Sequence, residues 1–240
     1  MNLLLLQPEQ LTSHGGARVH GRQLRHMLDV HGAEIGDSLR VGVVNGAIGS
    51  AVLTDLSDTQ ASLEISWEAD PPAPLPLTLV LALPRPKMLR RIIQSVVAMG
   101  VKRLVLINSY RVDKSYWQTP WLGEDALAEQ ITLGLEQARD TVWPEIMQRK
   151  LFKPFVEDEL AAMAGTGRCL IAHPGTGTPC PSGLTEPVTL CVGPEGGFIP
   201  YEVELIRQQG FDGVHLGERI LRTETFVPAV LGRLFDVIGA

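Results

Sequence analysis

The sequence predicts an α/β protein in which a small β-rich domain precedes a larger domain built on a mainly parallel sheet. Short alternating strands fill the first 70 residues, whereas continuous apolar runs alternate with helical patterns from residue 77 onward. A proline-rich stretch over residues 70–76 separates the two patterns, and proline interrupts helices and central strands alike. We therefore predict domains over residues 1–70 and 77–240, joined by a linker over 70–76.

The first domain is predicted from alternation and turn residues. Residues 39–44 alternate, Asn45-Gly46 is a strong hairpin turn, and residues 47–53 return as the partner strand. Residues 1–6 are interpreted as a first strand rather than a signal peptide, because they lack a basic leader. With a further strand over 61–67 and a short helix over 21–30, the pattern indicates a small sheet or barrel.

The second domain alternates strands with helices. Strands are predicted at 77–83, 103–108, 168–173, 188–193 and 213–217, and helices at 86–99, 124–139, 157–164, 201–209 and 223–238. This order is typical of a parallel sheet covered on both faces. In such sheets ligands bind beyond the carboxyl ends of the strands.

Composition limits the function. Hydrophobic residues make up 45% of the chain and charged residues 20%, and no apolar run reaches the roughly 20 residues that cross a bilayer. We expect a cytoplasmic protein without a membrane segment. The net charge of −6 argues mildly against a nucleic-acid partner, although a local basic patch can override the sum. The three cysteines and six histidines lack disulfide-framework or zinc-site spacing, so we expect no metal.

Three predicted strand ends carry the residues that matter for chemistry. They are Ile171-Ala172-His173-Pro174, Val192-Gly193-Pro194-Glu195-Gly196-Gly197 and His215-Leu216-Gly217. Glycine lets backbone groups approach a ligand, and a following helix adds free N–H groups and a positive dipole end. The P-loop, the dinucleotide-binding fingerprint and the nucleophile elbow are missing from the sequence. If the three strands are neighbours, their ends form one pocket for a nucleotide-like cofactor; otherwise they are ordinary turns.

These motifs resemble the RsmE family of ribosomal RNA methyltransferases, in the SPOUT (trefoil-knotted) superfamily. Residues 193–197 match the family's G-P-E-G-G loop, and Leu216-Gly217 with residues 220–225 match its L-G-x-R-[IV]-L-R-x-E-T segment. The resemblance covers nearly the whole chain and is weaker at the N-terminus. It implies a small PUA-like β-barrel domain followed by a SPOUT α/β trefoil-knot methyltransferase domain. Glu218 and Phe226 depart from residues that are frequent in the family.

The resemblance also implies an activity, namely methyl transfer from S-adenosylmethionine to N3 of a uridine in 16S rRNA of the small ribosomal subunit. It implies a homodimer as well. The cofactor-binding residues expected from it are Ala172, His173, Gly193, Glu195, Gly196, Leu216, Gly217, Ile220 and Leu221. Glu195 has two interpretations, because it could bind a ribose hydroxyl or brace its own loop.

Two side chains are catalytic candidates. Arg222 could hydrogen-bond a uracil carbonyl and stabilise the anion that forms on the ring. The alternative is a helix-start arginine that pairs with Glu224 or with solvent. Glu224 could contact the polar edge of cofactor or uridine, and its alternative is a favourable charge in the first turn of the last helix.

Two basic groups are predicted to contact RNA phosphates. They are Arg18, Arg22, Arg25 and His26 in the first domain, and Arg85, Lys87, Arg90 and Arg91 in the second. A solvated face is the alternative for each group. Four aromatic residues (Tyr110, Tyr116, Trp117, Trp121) could stack a base, with packing in the core or in a dimer as the alternative. Two other functions stay open: a non-catalytic RNA-binding protein, and a related methyltransferase acting on another RNA or on a ribose 2′-hydroxyl.

Overall fold

A computed structural model of the chain describes residues 2–29, 32–174 and 177–236. The chain divides into two compact units. Unit 1 comprises Met1–Ala73 together with Thr132–Trp143, and unit 2 comprises Pro74–Ile131 together with Pro144–Ala240. Unit 1 is therefore assembled from two segments that are far apart in the sequence.

Unit 1 is built on a curled five-stranded sheet, a half-barrel. Its strands are β1 (Leu4–Leu6), β2 (Gly16–Val19), β3 (Ser38–Val43), β4 (Ile48–Leu56) and β5 (Ala61–Ala69), in the order β1-β3-β4-β5-β2. β1 runs parallel to β3, and the other neighbours are antiparallel. The predicted β3–β4 hairpin is confirmed, with Asn45 in the left-handed region at a φ of 58°. β2 was not predicted, because four residues are too few to display an alternating pattern.

Helix α1 (Gly21–Asp29) buries Leu24 and Met27 in the core of unit 1. Val30, where this helix was predicted to end, lies outside the described residues. Arg18, Arg22 and Arg25 would share one face if the whole stretch were helical, but this condition is not met at Arg18. That residue lies on β2, and the helix begins only at Gly21, where a φ of 58° redirects the chain.

Unit 2 contains a seven-stranded sheet in which every pairing is parallel. Its strands are β6 (Leu77–Ala82), β7 (Arg103–Ile107), β8 (Glu145–Arg149), β9 (Arg168–Ala172), β10 (Thr178–Pro179), β11 (Val188–Val192) and β12 (Asp212–His215). The order is β10-β12-β9-β11-β6-β7-β8. The central strands β6 and β11 are buried throughout, which explains their continuous apolar sequences. The edge strands β8 and β10 were not predicted, because one is half polar and the other has only two residues.

The helices follow the predicted alternation. They are α2 (Pro86–Ala98), α3 (Glu124–Ala138), α4 (Phe152–Pro154), a π-helical segment (Phe155–Leu160), α5 (Ala161–Ala164), α6 (Pro200–Gln208) and α7 (Thr223–Leu234). α2 buries its apolar stripe and packs against α7. The predicted end of the last helix at residue 238 falls outside the described residues. Within the described part of the chain, no helix is both long and apolar enough to span a membrane.

The sheet order decides the question that the sequence left open. β12, β9 and β11 are neighbours, so the three glycine- and proline-containing strand ends lie side by side. We call the end of the sheet at which all its parallel strands finish the carboxyl edge.

Candidate active site

A cleft of about 270 Å³ opens at the carboxyl edge of unit 2, beyond β9, β11 and β12. Its lining includes every residue predicted to hold a cofactor: Ala172, His173, Gly193, Glu195, Gly196, Leu216, Gly217, Ile220 and Leu221. Nine further residues line it, and five of them belong to the three predicted strand ends: Pro174, Val192, Pro194, Gly197 and His215. The other four are Val214, Arg219, Thr223 and Phe226, and each lies close in sequence to a predicted cofactor-binding residue.

Glycine is required at the corners of the cleft. Gly197 and Gly217 have φ values of 72° and 113°, a conformation that side chains rarely adopt. A Cβ atom at either position would meet nothing within 4 Å, so the missing side chains also leave open space. At Gly193 the reason is crowding, because a Cβ atom would lie 2.9 Å from the backbone nitrogen of Phe198. Four glycines thus line the cleft, and apolar side chains such as Leu216 and Phe226 line it beside them.

The glycine loop after β11 is held by the loops after β6 and β7, which are the next two strands in the sheet order. After β6, the backbone N–H of Arg85 donates to Glu195 Oε1 at 3.0 Å. After β7, the guanidinium of Arg111 donates to the carbonyl oxygen of Gly196. A Cβ atom on Gly196 would lie 2.9 Å from the Cδ of Arg111, so the arginine lies directly against the loop. The contact to Arg85 supports the bracing interpretation of Glu195.

A buried carboxylate also holds the loop after β7 in place. Glu202, which is 2% exposed, accepts from the N–H of Tyr110 at 2.7 Å and from the N–H of Ile199 at 3.0 Å. It therefore closes the first turn of α6 and ties the loop after β7 to that turn. Sequence reasoning missed both Arg111 and Glu202, because their partners lie 85 and 92 residues away along the chain.

A histidine orders the corner after β12. Nδ1 of His215 accepts a hydrogen bond from the backbone N–H of Gly217 at 3.0 Å. That nitrogen must therefore be unprotonated, with the ring proton on Nε2. On the neighbouring strand, the backbone N–H of His173 donates to the carbonyl oxygen of Val214 at 3.1 Å. The second bond joins the cleft walls that belong to β9 and β12.

The two catalytic candidates lie at the margin of the cleft. Arg222 is exposed and precedes the first residue of α7, and its carbonyl oxygen accepts from the N–H of Phe226 at 2.7 Å. Its sequence neighbours Leu221 and Thr223 both line the cleft, although Arg222 itself does not. Glu224 is half-buried in the first turn of α7, where negative charge is favourable. Arg222 and Glu224 thus lie next to cleft-lining residues along the chain.

In unit 1, the residues predicted to bind RNA differ in their availability. The guanidinium of Arg22 makes two hydrogen bonds to the carboxylate of Glu136, at 2.7 and 3.0 Å, and the Glu136 side chain is only 5% exposed. This side chain is thus committed to the fold of unit 1. Arg18 and Arg25 are exposed, and His26 is half-buried.

In unit 2, Arg85 and Lys87 are exposed, whereas the guanidinium carbon of Arg90 lies 4.0 Å from the centre of the Trp121 ring. That arginine stacks on the tryptophan, a cation–π contact that keeps it from solvent. Trp117 donates through Nε1 to Asn108 at 2.9 Å. Of the four aromatic residues considered for base stacking, only Tyr110 is strongly exposed, at 79%.

The described residues contain no cluster of side chains that could bind a metal ion, and their cysteine thiols are poorly reactive near neutral pH. No three His, Cys, Asp or Glu side chains among them are grouped in a way that could hold a metal ion. Burial raises the pKa of the thiols of Cys169, Cys180 and Cys191, with nearby Asp212 adding to the effect at Cys169. These thiols are therefore protonated near neutral pH and poor nucleophiles.

The family model described as RNA methyltransferase domain matches residues 71–234. The ribosomal RNA small subunit methyltransferase E of Treponema pallidum (strain Nichols) is 27% identical over 232 residues, which span 94% of this chain and 87% of that protein.

Two solved structures share the fold. The ribosomal RNA small subunit methyltransferase E from Neisseria gonorrhoeae, bound to S-adenosyl methionine, superposes with a TM-score of 0.77 at 23% identity, covering 97% of this chain and 95% of that one. A methyltransferase from Legionella pneumophila in complex with its bound cofactor SAM has a TM-score of 0.75 at 23% identity, covering 96% of this chain and 95% of that one.

Proposed function

Because the chain belongs to the family of RNA methyltransferase domains, we propose that it transfers a methyl group from S-adenosylmethionine to N3 of a uridine in 16S rRNA. The observation that carries this proposal is the single cleft formed by the ends of β9, β11 and β12. The names of the relatives from Treponema and Neisseria support the choice of the small-subunit RNA.

The residues of the cleft fit an adenosyl group. Main-chain groups at the corners around Gly193, Gly196 and Gly217 supply donors and acceptors, and the apolar side chains beside them can pack against a ring. When bound, S-adenosylmethionine supplies an electrophilic methyl group on a sulfonium. The protein's part is then to hold the uridine nitrogen in line with that methyl group.

Arg222 is the group that we assign to the substrate. Uracil N3 carries a proton at neutral pH, so the reaction needs a group that favours its loss. A guanidinium at the cleft margin can hydrogen-bond a uracil carbonyl and stabilise the negative charge that develops on the ring. We also assign to Glu224, in the first turn of α7, a contact with the polar edge of the cofactor or the uridine.

The proposal also includes features that follow from the RsmE resemblance: a trefoil knot around the cleft, a homodimer and action in the cytoplasm on the small ribosomal subunit. RNA phosphates are assigned to the exposed Arg18, Arg25, Arg85 and Lys87.

Methyl transfer from labelled S-adenosylmethionine to 16S rRNA and to assembled small subunits, followed by nucleoside analysis, tests the proposal. We expect 3-methyluridine as the labelled product. Label on ribose alone would favour a 2′-hydroxyl methyltransferase, and failure to bind the cofactor in calorimetry would favour a non-catalytic RNA-binding protein.

A matched pair of variants tests whether the cofactor binds in the cleft. Gly217→Leu places a side chain in the cleft, and we expect it to abolish cofactor binding. Gly183→Leu is the control, because Gly183 also has a positive φ, 64°, and open space around a Cβ atom, but lies outside the cleft. Equal cofactor affinity in the two variants would contradict this location.

A further inference from the structure

A row of cations continues along the carboxyl edge beyond the cleft. Arg85 and Lys87 follow β6, Arg111 follows β7 and Lys150 follows β8, and all four residues are exposed. These strands lie in the order β11-β6-β7-β8, so the row begins beside the strand that carries the glycine loop. Neighbouring strands are about 4.8 Å apart, which brings successive members of the row within reach of one extended polymer. We call these four residues the basic row.

The charge of the row is a local feature. The chain as a whole has a net charge of −6, so the clustering does not reflect a basic composition. Two acidic side chains, Glu195 and Asp113, lie beside the four cations of the row, and both accept hydrogen bonds from backbone N–H groups. Glu195 accepts from the N–H of Arg85, and Asp113 accepts from the N–H of Ser115, which lowers the pKa of its carboxyl. Lys153 is excluded from the row because its Nζ lies 3.6 Å from Glu157.

An exposed aromatic ring lies in the middle of the row. Tyr110 is 79% exposed, yet its backbone is anchored, because its N–H donates to the buried Glu202. The next residue, Arg111, is held on the carbonyl oxygen of Gly196. The ring therefore projects from a fixed base, close to a loop that lines the cleft. A rigid exposed aromatic side chain offers a stacking surface at small entropic cost.

We propose that the basic row and Tyr110 bind the single-stranded RNA next to the base that enters the cleft. This inference rests on the proposed function. Arg85, Lys87 and Lys150 contact successive phosphates, and Arg111 adds positive charge from its position on the Gly196 carbonyl. The tyrosine ring stacks on a neighbouring unpaired base, and this combination is typical of single-strand binding. Double-stranded RNA fits less well, because its bases are already stacked on one another and offer no free face.

Direct RNA binding without cofactor tests the surface separately from catalysis. The probe is a fluorescein-labelled single-stranded RNA of mixed sequence, and its binding is followed by fluorescence anisotropy over a range of salt concentrations. We expect Tyr110→Ala to weaken binding about tenfold, the effect of one lost base–aromatic stack, and Tyr110→Phe to restore it. Lys87→Ala and Lys150→Ala should each lower the slope of log affinity against log salt by about 0.7, the value for one phosphate contact in a single strand.

Arg207→Ala is the matched control, because Arg207 is exposed in the last turn of α6, away from the carboxyl edge. It should leave the affinity and the salt slope unchanged. Wild-type-like binding by Tyr110→Ala together with both lysine variants would overturn the proposal. So would a loss of self-association in these variants with unchanged RNA affinity, since the face would then be an interface between two copies of the chain.

The same variants distinguish failure of this surface from failure of the proposed function. If the wild-type protein binds the RNA through the row but methylates neither 16S rRNA nor small subunits, the surface stands and the proposed function fails. If it methylates RNA and the variants do so with unchanged KM for RNA, the function stands and the surface is overturned.

Discussion

Arg222 is the residue on which the proposed chemistry depends most directly. Removing a charged donor that acts on the developing anion should lower kcat about 10²–10³-fold, the range for an oxyanion-stabilising group. We expect this loss in Arg222→Ala, with cofactor affinity in calorimetry near that of the wild type, because the side chain lies outside the cleft lining. Arg222→Lys should recover little, since an ammonium cannot reproduce the planar fork of a guanidinium.

An arginine that lies away from the cleft provides the control for that experiment. Arg207→Ala removes the same charge from a position away from the cleft and should keep full turnover. Near-normal kcat in Arg222→Ala would remove the arginine from the mechanism and leave it as a solvent-exposed residue at a helix start.

His215 offers a second test at the residue scale, because a side-chain acceptor fixes the corner at Gly217. Asparagine places an oxygen where histidine has Nδ1, whereas alanine offers no acceptor. A net hydrogen bond contributes about 0.5–1.5 kcal/mol, so His215→Ala should weaken cofactor binding by about 2- to 10-fold. His215→Asn should stay close to the wild type in the same titration. If the two variants behave alike, the hydrogen bond does not order the cofactor site.

At the scale of strands and helices, sequence reasoning found what local patterns carry. Buried central strands, the amphipathic α2 and the Asn45-Gly46 turn all have short-range signatures, and each is observed. The short or polar edge strands β2, β8 and β10 have no such signature, since pairing with a distant strand stabilises them. In the cleft, the glycine corners have short-range signatures and could be predicted. Arg111 and Glu202 could not be predicted, because they act through contacts that only the sheet order creates.

The strands β9 and β11 also determine the reactivity of two cysteines. Cys169 on β9 is half-buried and Cys191 on β11 is fully buried, and burial raises the pKa of both thiols. We expect a disulfide reagent to modify Cys169 first and Cys191 only on unfolding. The rate at Cys169 should continue to rise as the pH passes the ordinary thiol pKa of about 8.5.

Stability should respond to pH in the direction that these raised pKa values require. Above about pH 8.5 the unfolded chain loses thiol protons that the folded chain retains, so the folded state is favoured less as the pH rises. Below that pH the contribution of the thiols is fully present. Urea unfolding at pH 7.5 and pH 10 measures the difference, and Cys191→Ala should reduce the decrease. An identical pH dependence in the variant would assign the decrease to other groups.

At the scale of the whole molecule, unit 1 needs a segment that the sequence places far downstream. The turn at Asn45-Gly46 could be predicted, but its supports could not. Asn45 Oδ1 accepts from the N–H of Trp143 at 2.8 Å, and the N–H of Asn45 donates to the carbonyl oxygen of Thr141 at 2.8 Å. The ion pair between Arg22 and Glu136 spans 114 residues in the same way. A division at the proline-rich stretch alone does not include these contacts.

This dependence predicts the cost of removing one partner. Arg22→Ala leaves the carboxylate of Glu136 nearly buried without its two charged hydrogen bonds, so we expect a loss of about 1–3 kcal/mol in the free energy of unfolding. Arg40→Ala is the matched control in the same unit, because Arg40 and Glu68 are 40% and 41% exposed, and such surface pairs contribute about 0–1 kcal/mol. Urea denaturation of both variants measures the difference.

A fragment that ends at Ala73 lacks all the contacts from Thr132–Trp143, and its far-ultraviolet circular dichroism should show less structure than unit 1 has in the full chain. Equal destabilisation by the two substitutions, or a fragment that unfolds cooperatively with full sheet content, would mean that the distant segment is not needed for unit 1 to fold.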